Sequence, residues 1–223
     1  MKTTVIKNFL SDDELFEIEK TLRLRYDTVL WKEPTENETM AHALYWYPGP
    51  SYQQELCTFI NDKIEKQFSD NKCDNWHILN AYKPYGIHTD SLDDEVEADT
   101  HSLPKGYKFG WTFLIPLEDY NTHTIVFNEC SDVLKVSSKW IERENRSPQG
   151  LISDETYEKY FTHQGKDLVD YFSIDTIFPW KKGDLLAMPR SSFHCSDNFG
   201  NKRIFEKRAL IGWSLMTEGA TNE

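Results

Sequence analysis

The sequence predicts a mainly β protein with flanking helices, and three observations carry that expectation. Strand-like segments dominate the chain from Trp76 onward, and two amphipathic segments, each opened by a capping-box pattern, precede them. The aromatic fraction is 14%, with 7 Trp, 11 Tyr and 13 Phe, enough to build a core without disulfides or a structural metal. A length of 223 residues fits one domain. Its expected layout is helical support over about 1–75 and a barrel over about 76–215, with an insertion over about 128–180.

Val5 to Leu10 reads as a short strand. Ser11-Asp12-Asp13-Glu14 then forms a capping box flanked by Leu10 and Leu15, a hydrophobic staple, so a helix is expected to about Tyr26 with Leu15, Ile18 and Leu22 on its buried face. Ala43 to Tyr47 is strand material closed by Pro48-Gly49-Pro50. Ser51-Tyr52-Gln53-Gln54 opens a second helix, whose stripe is Leu56, Phe59, Ile60, Ile64 and Phe68. Trp76 to Tyr82 alternates, with Trp76, Ile78, Asn80 and Tyr82 on one face and His77, Leu79 and Ala81 on the other.

Phe109 to Leu117 and Thr124 to Phe127 are further strands, joined through a turn at Glu118 to Asn121. Between Asn128 and Trp180 the strand pattern breaks, and Trp140 to Arg143 and Asp154 to Phe161 look helical. Asp184 to Met188 and Ile204 to Leu215 are the last strands. In the final one Arg208, Leu210, Gly212 and Ser214 face one way, and Ala209, Ile211, Trp213 and Leu215 the other.

The formal net charge is −12 and no basic cluster exceeds Lys181-Lys182 or Lys202-Arg203, which speaks against duplex nucleic acid as a partner. Cys57, Cys73, Cys130 and Cys195 show no Cys-x-x-Cys spacing, which argues against a zinc knuckle or redox pair and fits a reducing, cytoplasmic setting. No signal peptide or membrane span is expected from the polar N-terminus and the lack of long apolar runs.

The chemistry-bearing stretch is Tyr82-Lys83-Pro84-Tyr85-Gly86-Ile87-His88-Thr89-Asp90. His88 and Asp90 stand two apart at the end of an extended segment, so their side chains leave on one face and can share a metal ion. His194, far downstream in Met188-Pro189-Arg190-Ser191-Ser192-Phe193-His194-Cys195, would complete a two-His-one-carboxylate triad. Such a triad suits oxygen chemistry because three protein ligands on one face of an octahedron leave three positions open. His77 alternates away from Asn80, and His42, His101, His123 and His163 fall in turns or helices, so none of these competes for the site.

His88-x-Asp90, the distal His194 and the strand-borne Arg208 recur in the order seen in the 2-oxoglutarate/Fe(II)-dependent oxygenase superfamily, which this sequence resembles from about Trp76 to Leu215. The resemblance implies a double-stranded β-helix (jelly-roll) core, with Fe(II) held by His88, Asp90 and His194 and with 2-oxoglutarate and O2 as co-substrates. It also implies that Arg208 pairs with the far carboxylate of 2-oxoglutarate, a buried group that needs a cationic partner. Arg203 is the rival anchor, beside the turn-like Gly200-Asn201-Lys202. Asn80-Ala81-Tyr82 resembles the Asn-x-Tyr of the nucleic-acid demethylase branch, where both side chains bond the keto acid; that branch's second Arg is missing here.

The expected activity is hydroxylation coupled to decarboxylation of 2-oxoglutarate to succinate. Relatives that halogenate lack the carboxylate ligand, and Asp90 is present. The alternatives are a metal-containing barrel that binds without turnover and a cupin-like metalloenzyme that uses no keto acid. A small molecule, amino acid or peptide is the expected substrate class. The acidic run Asp93, Asp94, Glu95, Glu97 and Asp99 is expected near the pocket mouth, where it would favour cations.

Overall fold

The computed structural model describes residues 1–24, 43–46, 50–68, 71, 73–90, 107–131, 141 and 146–217. The acidic run after Asp90 lies outside the described residues, as does the proposed helix at Trp140 to Arg143 apart from Ile141. In chain order the elements are β1 (Thr4–Ile6), α1 (Asp12–Leu24), β2 (Ala43–Trp46), α2 (Pro50–Glu65), β3 (Cys73–Ala81), β4 (Tyr107–Pro116) and β5 (His123–Cys130). They continue as α3 (Asp154–Tyr160), α4 (Lys166–Val169), β6 (Ile174–Pro179), β7 (Leu185–Pro189), β8 (Ser192–Ser196), a 3-10 turn (Phe199–Lys202) and β9 (Lys207–Thr217).

The strands form two antiparallel sheets, six strands in the order β1-β7-β4-β9-β3-β2 and three in the order β6-β5-β8. Together they make the jelly-roll core expected from the sequence. Side-chain alternation divides the interior into layers. One face of the large sheet packs Trp76, Ile78, Phe113, Ile115 and Leu210 against Leu15, Ile18, Leu56, Ile60 and Ile64 of α1 and α2. Its other face meets the small sheet through Leu114, Leu186, Met188 and Ala209 against Val126, Phe178 and Trp180. The outer face of the small sheet is covered in turn: Ile125, Phe127, Phe193 and Cys195 pack with Ile152, Phe161, Val169 and Phe172.

The local signals at the N-terminus act as the sequence suggests. The Ser11 amide donates to Glu14 Oε2 at 2.8 Å and the Glu14 amide to Ser11 Oγ at 3.3 Å, a reciprocal capping box that satisfies two otherwise orphaned donors. Lys63 of α2 then bonds Glu14 at 2.7 Å, tying the two helices together. Helix α2 starts at Pro50, one residue ahead of the expected cap, because proline fits the first helical turn, where its missing N–H has no intrahelical acceptor.

The insertion is less complete than the sequence pattern suggests. Strand β6, Ile174–Pro179, lies inside 128–180 and pairs with β5 from His123↔Pro179 to Phe127↔Ile174. Its Ser173-Ile174-Asp175-Thr176 start has mixed exposure, since an edge strand buries only part of each residue, and that hides the two-residue period. His123, expected in a turn, opens β5.

Gly183 closes the turn into β7 with φ +76°, and a Cβ there would stand 2.3 Å from the Leu10 carbonyl oxygen. That carbonyl belongs to the same turn of chain whose Leu10 amide donates to Gly183 O at 3.0 Å, so it has no room to retreat. Gly150 also has a positive φ, +60°, but nothing within 4 Å. Left-handed backbone costs a non-glycine residue about 1–2 kcal/mol, and a buried clash adds to it. Gly183→Ala is therefore expected to lose roughly 2–4 kcal/mol and Gly150→Ala about 1 kcal/mol, measured by urea unfolding of both variants; equal losses would contradict the close approach at Gly183.

Candidate metal centre

The site forms where the segment after β3 returns along the free edge of the small sheet. The His88 amide donates to His194 O at 3.0 Å and the His194 amide to His88 O at 2.8 Å, so the two residues face each other as an antiparallel pair. Side chains of directly opposed residues leave on one face, and the two imidazole centroids lie 4.3 Å apart. Asp90, two residues on, joins them: one ligand atom from each of His88, Asp90 and His194 falls within 4.8 Å of the others.

Hydrogen bonding fixes the state of each ligand. His88 Nδ1 lies 2.7 Å from the Gly86 carbonyl and His194 Nδ1 lies 3.1 Å from the Ser192 carbonyl. A carbonyl only accepts, so each Nδ1 carries the proton and each Nε2 keeps its lone pair for a metal. Thr112 Oγ1 of β4 donates to Asp90 Oδ2 at 2.5 Å. Burial opposes ionisation of Asp90, but the fields of His194 and His88, the Thr112 bond and Arg190 outweigh it and hold its carboxyl below the usual range. The donor set is thus two imidazoles, each with Nε2 left to bind, and one carboxylate, which suits Fe(II) and similar divalent ions.

Beneath the triad a pocket runs between the sheets, lined by Leu79, Leu114, Met188 and Ile211 on its apolar walls and by Ser196 and Lys207 at its polar end. Lys207 is 1% exposed. Its ammonium lies 4.0 Å from the Trp180 ring centroid and 4.7 Å from that of Phe199, and it donates to Ser196 Oγ at 3.2 Å. Burial pushes its pKa down to about 7, against the opposing pull of Asp197.

The structure therefore brings His88, Asp90 and His194 together and leaves the other sequence-identified residues outside the pocket. Asn80 stands opposite Arg208 in the β3–β9 ladder, and both share the face of Ile78 and Leu210, which packs toward the helices. Arg208 reaches Glu118 at 3.6 Å on that side. Tyr82, just past β3, is 37% exposed, and Arg203 is an exposed left-handed residue, φ +58°, ending the 3-10 turn. Among the described residues Lys207, one residue before the expected anchor, is the lysine or arginine that lines the pocket. Period-two alternation separates the two faces of β9 but cannot say which is inward when both are buried.

The 3-10 turn that places Phe199 over Lys207 is held by Asp197. This carboxylate is fully buried, accepts from Lys202 Nζ at 2.7 Å, bonds His123 Nδ1 at 2.9 Å and accepts from the Thr122 hydroxyl. Burial opposes its ionisation, but these partners dominate and bring its pKa down to about 2. A carboxyl with a depressed folded pKa adds stability above its unfolded pKa, near 4, and loses it as pH falls through the folded value. Asp197→Asn is expected to cost about 2 kcal/mol near neutral pH. Its deficit against the parent should shrink between about pH 4 and pH 2, as read from urea midpoints across that range; a deficit independent of pH would refute the ionised network.

A jelly roll carrying two histidines and a carboxylate on one rim defines a class of mononuclear metal centre. Compared by sequence, the chain matches no protein-family model and no curated protein. Compared by structure, it is similar to the non-haem α-ketoglutarate-dependent epimerase SnoN of nogalamycin biosynthesis, with TM-score 0.55 and 14% identity over 96% of this chain and 78% of that one. It is also similar to HygX from Streptomyces hygroscopicus, solved with nickel and 2-oxoglutarate bound, with TM-score 0.54 and 13% identity over 98% of this chain and 84% of that one. The carbocyclase SnoK gives TM-score 0.53 and 15% identity over 96% of this chain and 80% of that one. The chain has the fold of these proteins.

Proposed function

We propose that this chain is an iron(II)- and 2-oxoglutarate-dependent oxygenase whose outcome is hydroxylation. The observation that carries the proposal is that the converged triad and the buried Lys207 line the same pocket. The donor set suits Fe(II), and a buried ammonium whose only hydrogen-bond partner among the described residues is a hydroxyl suits an incoming carboxylate. His88 Nε2, Asp90 and His194 Nε2 would hold the metal. Bound iron with 2-oxoglutarate supplies dioxygen activation coupled to decarboxylation of the keto acid to succinate.

The chain's own residues then have distinct tasks. Lys207 pairs with the far carboxylate of the keto acid, with Ser196 Oγ as a second polar contact, and takes the role that the sequence pattern gives to Arg208. Leu79, Leu114, Met188 and Ile211 keep water from the pocket and so strengthen that pairing. A small organic molecule, amino acid or peptide is the proposed substrate. Support for the small-molecule class comes from SnoN, solved in complex with Fe3+, α-ketoglutarate and nogalamycin RO, and HygX, solved with nickel, 2-oxoglutarate and hygromycin B. Among the described residues no helix is long and apolar enough to cross a membrane.

Protein supplied with Fe(II), 2-oxoglutarate and oxygen is expected to form succinate, and His88→Ala, Asp90→Ala and His194→Ala to abolish it. Iron-dependent succinate formation undiminished in Asp90→Ala would overturn the triad. Removing one partner of a buried charge pair costs about 3–5 kcal/mol, whereas a surface pair contributes about 1 kcal/mol or less. Lys207→Met should therefore weaken 2-oxoglutarate binding roughly 100-fold or more and Arg208→Ala only a few-fold, measured anaerobically on the nickel-loaded protein.

The carboxylate binds protonated Lys207, whose pKa in the free protein is about 7. As pH rises above that value the protonated fraction falls, so the affinity should drop up to tenfold per pH unit and one proton should be taken up on binding. Lys207→Arg, charged throughout, should remove this dependence. An unchanged slope in Lys207→Arg would assign the proton elsewhere.

A further inference from the structure

Asp90, like His88, lies outside the named strands, and both its backbone and its side chain are held. Its amide donates to the Arg190 carbonyl at 2.9 Å, and its own carbonyl accepts from Arg190 Nε at 3.1 Å and Nη2 at 2.9 Å. The Arg190 guanidinium lies 4.6 Å from the Phe109 ring centroid. Thr112, fully buried, adds its 2.5 Å bond to the carboxylate. We propose that Thr112 and Arg190 are positioning residues for the metal, Thr112 setting the rotation of the Asp90 carboxylate and Arg190 fixing the backbone that carries it.

A break in the β4–β9 register makes this arrangement possible. Phe109 stands opposite Leu215 and Thr112 opposite Trp213, so two residues, Gly110 and Trp111, oppose the single Ser214. In an unbroken strand Phe109 and Thr112, three apart, would point to opposite faces. The extra residue resets the alternation, and both point toward the site. Phe109 thereby becomes the platform for Arg190 and Thr112 the donor to Asp90.

The bulge is itself fastened. Trp111 N donates to Ser214 Oγ at 2.8 Å, Arg190 N donates to Gly110 O at 3.0 Å, and a Cβ on residue 110 would meet Ser214 Oγ at 2.4 Å, so a larger residue there would push the Ser214 hydroxyl off its bond to Trp111. A free carboxylate rotates about its Cβ–Cγ bond between one-oxygen and two-oxygen contact with a cation. Two-oxygen contact would use more of the metal's binding capacity than one-oxygen contact. The Thr112 bond holds the carboxylate against that rotation.

This inference rests on the metal-binding reading above, and the test separates the two. Co(II) is titrated into metal-free parent, His194→Ala, Thr112→Ser, Thr112→Val, Arg190→Lys and Arg190→Gln, following affinity and the visible Co(II) spectrum, with the unfolding midpoint of each metal-free protein alongside. Loss of an outer partner of a metal ligand lowers affinity about 10–100-fold. Thr112→Val and Arg190→Gln should fall by that factor with an altered spectrum, while Thr112→Ser stays within about threefold of the parent and Arg190→Lys lies between. If the parent binds no better than His194→Ala, the metal reading itself fails. If the parent binds and Thr112→Val matches it in affinity and spectrum, the positioning role is overturned, whether or not the metal-free midpoint falls.

Discussion

The pair of backbone hydrogen bonds between His88 and His194 is the constraint on which the rest of the site depends. Neither residue could hold a shared ion from a flexible loop, because each ligand would lose backbone as well as side-chain freedom on binding. The pairing removes that freedom during folding, through bonds of 3.0 and 2.8 Å that also extend the small sheet by one residue pair. Once two ligands are fixed to the small sheet, a third on the same face must come from close by in the chain. Asp90 is the next residue after His88 with the same orientation, and the large sheet reaches across to hold it through Thr112. The triad therefore joins both sheets.

Much of this was legible in the sequence, for identifiable reasons. The Ser11 to Glu14 capping box, the Leu15 and Ile18 face of α1, the Leu56, Ile60 and Ile64 stripe of α2 and the His-x-Asp spacing are local patterns, decided within a few residues and read directly, although Phe59, expected in the α2 stripe, is exposed. The alternation of β3 and β9 was legible too, down to which residues share a face. What alternation cannot supply is the identity of the inward face, because the large sheet packs against helices on one side and against the small sheet on the other. Asn80 and Arg208 fall on the helix side for that reason, and Lys207 on the pocket side. Thr112 and Arg190 were illegible for a different reason: their roles depend on a bulge in β4 that appears only through its register with β9 and its bond to Arg190.

Electrostatically the chain is lopsided. It carries a formal charge of −12, yet its pocket is lined by a buried lysine set between Trp180 and Phe199. Burying an ammonium is unfavourable, and the aromatic faces and the Ser196 hydroxyl offset only part of that penalty, which is why burial brings its pKa down to about 7. Asp197, the nearest carboxylate in its field, is already committed to His123, Lys202 and Thr122. A lysine kept from its neighbouring acid keeps its charge available for the carboxylate pairing proposed above, and its burial shields that pairing from the negative charge of the rest of the chain.

The insertion is bound into this arrangement more closely than a surface decoration would be. Phe193 and Cys195, the two neighbours of His194, are buried in the cluster of Phe161, Val169 and Phe172. In a strand, neighbours on opposite faces share one backbone, so a side chain packed on the outer face constrains the ligand on the inner one. Glu129 fastens the same layer by accepting from the Ser173 amide and hydroxyl at 3.0 Å each. Changes to Phe161, Val169 or Phe172 act on the metal ligand itself, through a strand they pack against and never leave.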